Sequence, residues 1–106
     1  MVSGGCYIQA VNGIFIDEGT IFAPGVKIIS SNHDLTDMKK YAVTEPIRIG
    51  KHCWIGANAV ILPGVQLGDR VIVGAGSVVT KSFPSACVIA GVPAHLLKEL
   101  PPANAQ

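Results

Sequence analysis

Residues 49–79 read IGKHCW IGANAV ILPGVQ LGDRVI VGAGSV V, and written in sixes they fall into columns. Ile49, Ile55, Ile61, Leu67, Val73 and Val79 lead the blocks, so every sixth residue is aliphatic. Upstream, Ile16, Phe22 and Ile28 keep the same step. An amphipathic helix repeats about every 3.6 residues and a hairpin meander alternates about every 2, so neither yields a period of six. Short strands joined by corners into a coil do, and a fixed short period marks a solenoid.

The remaining columns fit that reading. The residue after the aliphatic one is glycine at Gly50, Gly56, Gly68 and Gly74, where a turning backbone is expected to use positive φ without steric cost. Four positions after the aliphatic residue stand Val26, Cys53, Ala59, Val65, Val71 and Ser77, all small or β-branched. Side chains alternate along a strand, so this residue and the next aliphatic one, two apart, are expected to face the interior together. Ala23-Pro24-Gly25-Val26 and Leu62-Pro63-Gly64-Val65 repeat one turn phrase at one place in the hexad, with proline fixing φ and glycine making the bend.

Composition narrows the function classes. A chain of 106 residues is a single domain, here expected over 1–106. Eight Lys and Arg against seven Asp and Glu give a net charge of +1, which argues against nucleic acid or an anionic membrane as partner. Mean hydropathy is +0.46, yet Gly, Pro, Asn or a charge interrupts every apolar run well short of the roughly 20 residues of a spanning helix. The first basic residue is Lys27 and no leader pattern precedes it, so a soluble, cytoplasmic protein is expected. Cys6, Cys53 and Cys87 are odd in number with no close pair, which argues against a disulfide framework and a thiolate zinc site.

Over roughly residues 8–100 the chain resembles the hexapeptide-repeat acyltransferases, in the branch of maltose, galactoside and polysaccharide O-acetyltransferases. Besides the hexads, the resemblance rests on Asn32-His33-Asp34, Trp54-Ile55-Gly56-Ala57, Gly74-Ala75-Gly76-Ser77-Val78-Val79-Thr80-Lys81 and Ala90-Gly91-Val92-Pro93-Ala94. It implies an all-β fold, a left-handed parallel β-helix with three hexads per coil, acetyl-CoA as co-substrate, and homotrimers with active sites in clefts between subunits. The expected segments are first coils at 4–28, a loop excursion at 29–48, regular coils at 49–84, a terminal turn and short capping helix at 85–100, and a tail at 101–106. Ala94-His95-Leu96-Leu97-Lys98-Glu99-Leu100 supplies the helix, ending before Pro101. Relatives carry further coils or a helical segment ahead of the matched part, so the chain is expected to be short at its N-terminus.

With eighteen residues per coil, residues eighteen apart stack. Ala57 and Ala75 then form a corner of small residues that leaves backbone accessible to a ligand. Trp54 over Ile72 and Val60 over Val78 form outward apolar columns, expected to meet a subunit or ligand. Lys51 over Asp69 reads as an exposed ion pair of little weight. From Ile28 to Ile49 is 21 residues, three more than a coil, and the stretch holds Asp34, Asp37, Lys39, Lys40, Glu45 and Arg48. It reads as a loop on a rigid scaffold.

A solitary loop histidine is ordinarily a surface residue, but the resemblance assigns His33 as general base, a task suited to an imidazole that titrates near neutrality. It also implies cofactor contacts at Ala57, Ala75, Thr80 and Lys81, with the backbone N–H of Ala57 facing the oxyanion and Lys81 near the phosphates. Trp54 joins them as a ligand contact, and His95 and Lys98 as positive charge toward the nucleotide. Asp34, adjacent to His33, is a weak candidate to orient it. Cys53 at an interior position and Cys87 in an apolar run are poor nucleophiles. No metal is expected; a γ-class carbonic-anhydrase-like zinc enzyme and a non-catalytic assembly module are the alternatives.

Overall fold

The computed structural model describes residues 4–32, 36–37, 40 and 42–102. Twelve short strands follow one another: β1 (Tyr7–Gln9), β2 (Ile14–Ile16), β3 (Ile21–Phe22), β4 (Lys27–Ile29), β5 (Ile47–Ile49), β6 (Trp54–Ile55), β7 (Val60–Ile61), β8 (Gln66–Leu67), β9 (Val71–Val73), β10 (Val78–Val79), β11 (Cys87–Gly91) and β12 (Ala94–Glu99). They build three sheets, the faces of a prism. The first face is β1-β4-β7-β10, the second β2-β5-β8, and the third β3-β6-β9-β11-β12. All pairs are parallel except β11 with β12. The chain is thus the expected all-β parallel helix, one strand per face per turn.

The interior columns match the hexad reading. Phe22, Ile28, Ile49, Ile55, Ile61, Leu67, Val73 and Val79 are buried, and so are Val26, Cys53, Ala59, Val65, Val71 and Ser77. Ile16 keeps 38% exposure, because its coil has a neighbour on one side only. Trp54 pairs with Ile72 and Val60 with Val78, each eighteen residues on, as the columns require.

The glycines have a different reason from the one expected. Gly50, Gly56, Gly68 and Gly74 are absent from the positive-φ residues, which at the corners include Gly19, Gly25, His52, Asn58, Gly64, Arg70, Gly76 and Ala86. What Gly56 needs is the space of its missing side chain: a Cβ there would lie 2.6 Å from Ala75 N and 2.7 Å from the Val73 carbonyl oxygen of the next coil. The left-handed residues stand two places later and link the coils. Gly25 N–H donates to Gly4 O (3.3 Å), Asn58 to Pro24 O (3.0 Å) and Gly76 to Ala57 O (2.8 Å) at the corner between the third and first faces. His52 donates to Glu18 O (3.1 Å), Arg70 to Lys51 O (2.8 Å) and Ala86 to Asp69 O (2.8 Å) at the corner between the second and third.

Three other expectations are corrected. Ile28 lies on the first face and Ile49 on the second, with Lys27 paired to Val60, 33 residues on. The excursion therefore adds fifteen residues inside one coil rather than three beyond it; a six-residue period cannot tell three from fifteen. Lys51 and Asp69 do stack, but the Asp69 carboxylate accepts the Lys51 backbone N–H (2.8 Å), while Lys51 Nζ lies 3.9 Å from Glu18. The segment Ala94–Glu99 is a strand, not a helix. The open edge of β11 offers ladder hydrogen bonds, whereas so short a helix is unstable without packing, and Leu96 and Leu97 are exposed in any case.

Candidate active site

The first face and its two flanking corners gather most of the residues singled out above. On one side, Gly56–Ala59 and Gly74–Ser77 make tight turns, closed by Ala59 N–H to Gly56 O (3.2 Å) and Ser77 N–H to Gly74 O (3.3 Å). Their third positions, Asn58 and Gly76, have φ of 59° and 70°, a conformation that asparagine and glycine tolerate. This stacks Ala57 under Ala75 and turns both methyl groups outward. Among the described residues no acceptor receives the N–H of Ala57, so this corner offers a free backbone donor beside a surface with no bulky side chain. Buried Ser77 braces it by accepting the Gly91 N–H (3.2 Å).

Across the face, beyond outward Val60 and Val78, β10 runs into Thr80 and Lys81, both exposed. Lys81 Nζ sits 5.5 Å from the centre of the Phe83 ring. A cation–π contact at an exposed site is worth about 0.5–1 kcal/mol, little enough for a phosphate to displace. The excursion leaves this same corner two coils earlier. His33, Asp34 and Lys39 lie outside the described residues; Ser30, Ser31 and Asn32 lead towards His33, and Ala42, Val43 and Thr44 return.

Trp54 and His95 do not share this face. Trp54, 51% exposed, stands between Ile21 and Ile72 on the third face, around the Ala57 corner. His95 is on β12, opposite Ala90. Burial pushes the thiols of Cys53 and Cys87 up from their ordinary range, and both donate to carbonyls, of Gly68 (3.1 Å) and Pro84 (3.3 Å). Neither is a thiolate nucleophile near neutrality. Among the described residues no three His, Cys, Asp or Glu side chains group as metal ligands. A depression of about 410 Å³, lined by Phe15, Ile16, Asp17, Arg48, Ile49, Gly50 and Leu67, holds none of the expected site residues.

Sequence reasoning missed Asn12. Its carboxamide donates to Ser30 O (3.0 Å), Ala42 O (2.9 Å) and Thr44 Oγ1 (3.2 Å), tying both limbs of the excursion. The signal was in the spacing: Ile8 to Ile16 is eight residues, not six.

A three-faced parallel helix with one polar excursion and a corner of stacked alanines defines a class of hexapeptide-repeat proteins. A family profile described as the hexapeptide repeat of succinyl-transferase matches residues 46–81. The galactoside O-acetyltransferase of Escherichia coli is 38% identical over 90 residues, 82% of this chain and 44% of the relative. A putative acetyltransferase of Dictyostelium discoideum is 47% identical over 91 residues, 83% of this chain and 48% of its own. Among solved structures, a galactoside acetyltransferase in complex with coenzyme A superposes with TM-score 0.82 at 34% identity, covering 91% of this chain and 50% of that one. A maltose O-acetyltransferase from Clostridium difficile gives 0.80 at 32% identity, over 94% and 58%. The chain belongs to the hexapeptide-repeat acyltransferase family. It spans about half the length of the curated relatives it matches.

Proposed function

We propose that this chain is an acetyl-CoA-dependent O-acetyltransferase that works as a cytoplasmic homotrimer and acetylates a hydroxyl of a sugar or other small molecule. The observation that carries the reading is the Ala57–Ala75 corner with its free N–H, beside the first face and across from Lys81. That strip suits an extended thiol ester with a phosphate at one end. The relatives named for galactoside and maltose O-acetylation, and the neighbour holding coenzyme A, support it.

Transfer is direct. His33 takes the proton of the acceptor hydroxyl as its oxygen attacks the thioester carbonyl carbon, giving a tetrahedral intermediate with negative charge on the former carbonyl oxygen. The N–H of Ala57 is the donor suited to that charge. Collapse breaks the carbon–sulfur bond, and the imidazolium returns its proton to the thiolate, so acetyl ester and free CoA leave and His33 is neutral again. The cysteines take no part, consistent with their protonated state. Exposed Ile21, Trp54 and Ile72 on the third face support association of subunits, which would remove them from water. Trp54 and His95 then serve as cofactor contacts contributed from that face. No helix among the described residues is long and apolar enough to cross a membrane, and three free thiols suit a reducing compartment.

Calorimetry with acetyl-CoA tests the reading without an acceptor. Saturable binding weakened about tenfold by Lys81→Ala is expected, the size of one charge-assisted contact. His33→Ala is expected to bind acetyl-CoA normally and to lose transfer by about 10²-fold or more. A folded protein that binds no acetyl-CoA would leave an assembly module instead.

A further inference from the structure

We infer that the depression on the second face is a binding site for a free α-amino acid with an apolar side chain, its carboxylate on Arg48 and its ammonium group on Asp17. The inference does not rest on the acyltransferase reading. The strands set the walls. Phe15 pairs with Arg48 and Arg48 with Gln66, so these three stand side by side on the outward surface. Outward positions recur at every second residue, which puts Asp17 beyond Phe15 and Gly50 beyond Arg48. Asp17 N–H donates to Ile49 O (2.9 Å) and Gly50 N–H to Leu67 O (3.0 Å), so the ladder keeps that orientation past the strand ends. No side chain can stand at Gly50, because a Cβ there would lie 2.6 Å from the Gly68 carbonyl group. The surface is therefore hollow beside Asp17 and Arg48, and Ile16, Ile49 and Leu67 add apolar lining. Its volume of about 410 Å³ falls within the range of small-molecule sites.

The hollow holds two opposite charges that do not meet. The Arg48 guanidinium lies 4.6 Å from the centre of the Phe15 ring, a stacking that fixes its plane and leaves its N–H fork open. Among the described residues its side chain makes no hydrogen bond or ion pair, and neither does the Asp17 carboxylate. The ion pair nearby, Lys51 with Glu18 (3.9 Å), lies at the next corner. One strand over and two residues on, the Cα atoms of Arg48 and Asp17 stand roughly 8 Å apart by strand geometry. A molecule that bridges the two side chains must carry an anion and a cation close together. An α-amino acid does: its carboxylate matches the guanidinium fork, and its ammonium group brings three donors to Asp17. A phosphate would meet the Asp17 carboxylate and a bare amine the Arg48 charge, while a peptide separates its two termini. Exposed Phe15 and Ile16 favour an apolar side chain over a polar one, which would lose its water without gaining a partner.

Calorimetry on the full chain tests the site with L-leucine as the probe. Isocaproate, which lacks the ammonium group, and isoamylamine, which lacks the carboxylate, serve as half-ligands. L-Leucine should bind at one site per chain with a Kd of about 1 mM or tighter, and each half-ligand at least tenfold more weakly. Arg48 and Asp17 are exposed, so Arg48→Gln and Asp17→Asn should leave the β circular dichroism unchanged while each weakens L-leucine binding tenfold or more. Arg48→Lys should not restore it, since lysine keeps the charge and loses the planar fork. Amide NMR locates the site: the N–H resonances of Phe15, Asp17 and Gly50 should shift as L-leucine is added, and those of Ala57 and Ala75 should stay in place. Absence of saturable L-leucine binding overturns the assignment. So does equal affinity for isocaproate, normal binding by folded Arg48→Gln, or a shift confined to residues off the second face.

Discussion

A glycine can be required for its φ or for the space its side chain would fill, and the two kinds alternate here. Gly56 has an ordinary φ but no room; a Cβ there would press on backbone atoms of the next coil, which cannot rotate away. Gly64 has φ of +78°, and nothing lies within 4 Å of the place a methyl group would take. Gly56→Ala is therefore expected to destabilise by about 2–3 kcal/mol, as overpacking does, and Gly64→Ala by about 1–2 kcal/mol, the cost of a left-handed L-residue. Chemical denaturation of the two variants checks the order, and Gly64→Ala proving the worse would refute it. The sequence carried the glycine column plainly, since its period is fixed by the coil. It could not say which reason applied, because both act by removing the same atom. Asn12 shows a different limit: its two-residue surplus is visible in the spacing, while its partners lie eighteen to thirty-two residues away.

Strands two or three residues long persist here because each is flanked by others in register, with alternate side chains buried. The same dependence on neighbours decided the C-terminal segment. Ala94–Glu99 has helix-forming residues, yet it lies against the edge of β11 and pairs antiparallel with it. Leu96→Val, opposite Ile89, favours strand over helix and is expected to leave stability within about 0.5 kcal/mol. Leu96→Gly is expected to lower it by about 1 kcal/mol through lost strand propensity. Thermal melts of the pair test this; a marked loss with valine would speak for a helix in solution. Periodicity made the parallel coils legible and stopped where the pattern stopped. It fixed the register of the excursion only in sixes, so its length had to come from the pairing of Lys27 with Val60.

At the level of the molecule the three faces differ in character. The outward column of the second face is Phe15, Arg48 and Gln66, with the Arg48 guanidinium 4.6 Å from the Phe15 ring. That of the third is Ile21, Trp54 and Ile72, all exposed. Subunit contact through the third face predicts that Trp54→Glu sediments as a monomer with its β circular dichroism intact, against a wild-type trimer. An unchanged trimer would move the interface elsewhere. The outward columns were readable once the coil length was known, whereas the grouping of Ala57, Ala75, Thr80 and Lys81 about one face needed the order of the strands.

The corner hydrogen bonds have an electrical consequence. Every donor in the two rows, Gly25, Asn58 and Gly76 at one corner and His52, Arg70 and Ala86 at the other, reaches back to a carbonyl of the preceding coil, whereas Ile21, Lys27, Gly56, Val60 and Gly74 donate forward to a carbonyl of the next. Peptide dipoles, each about 3.5 D, therefore oppose one another along the axis, as they do in sheets, whose net dipoles are small. Coils can be stacked in this way without the charge separation that builds up between the ends of an α-helix.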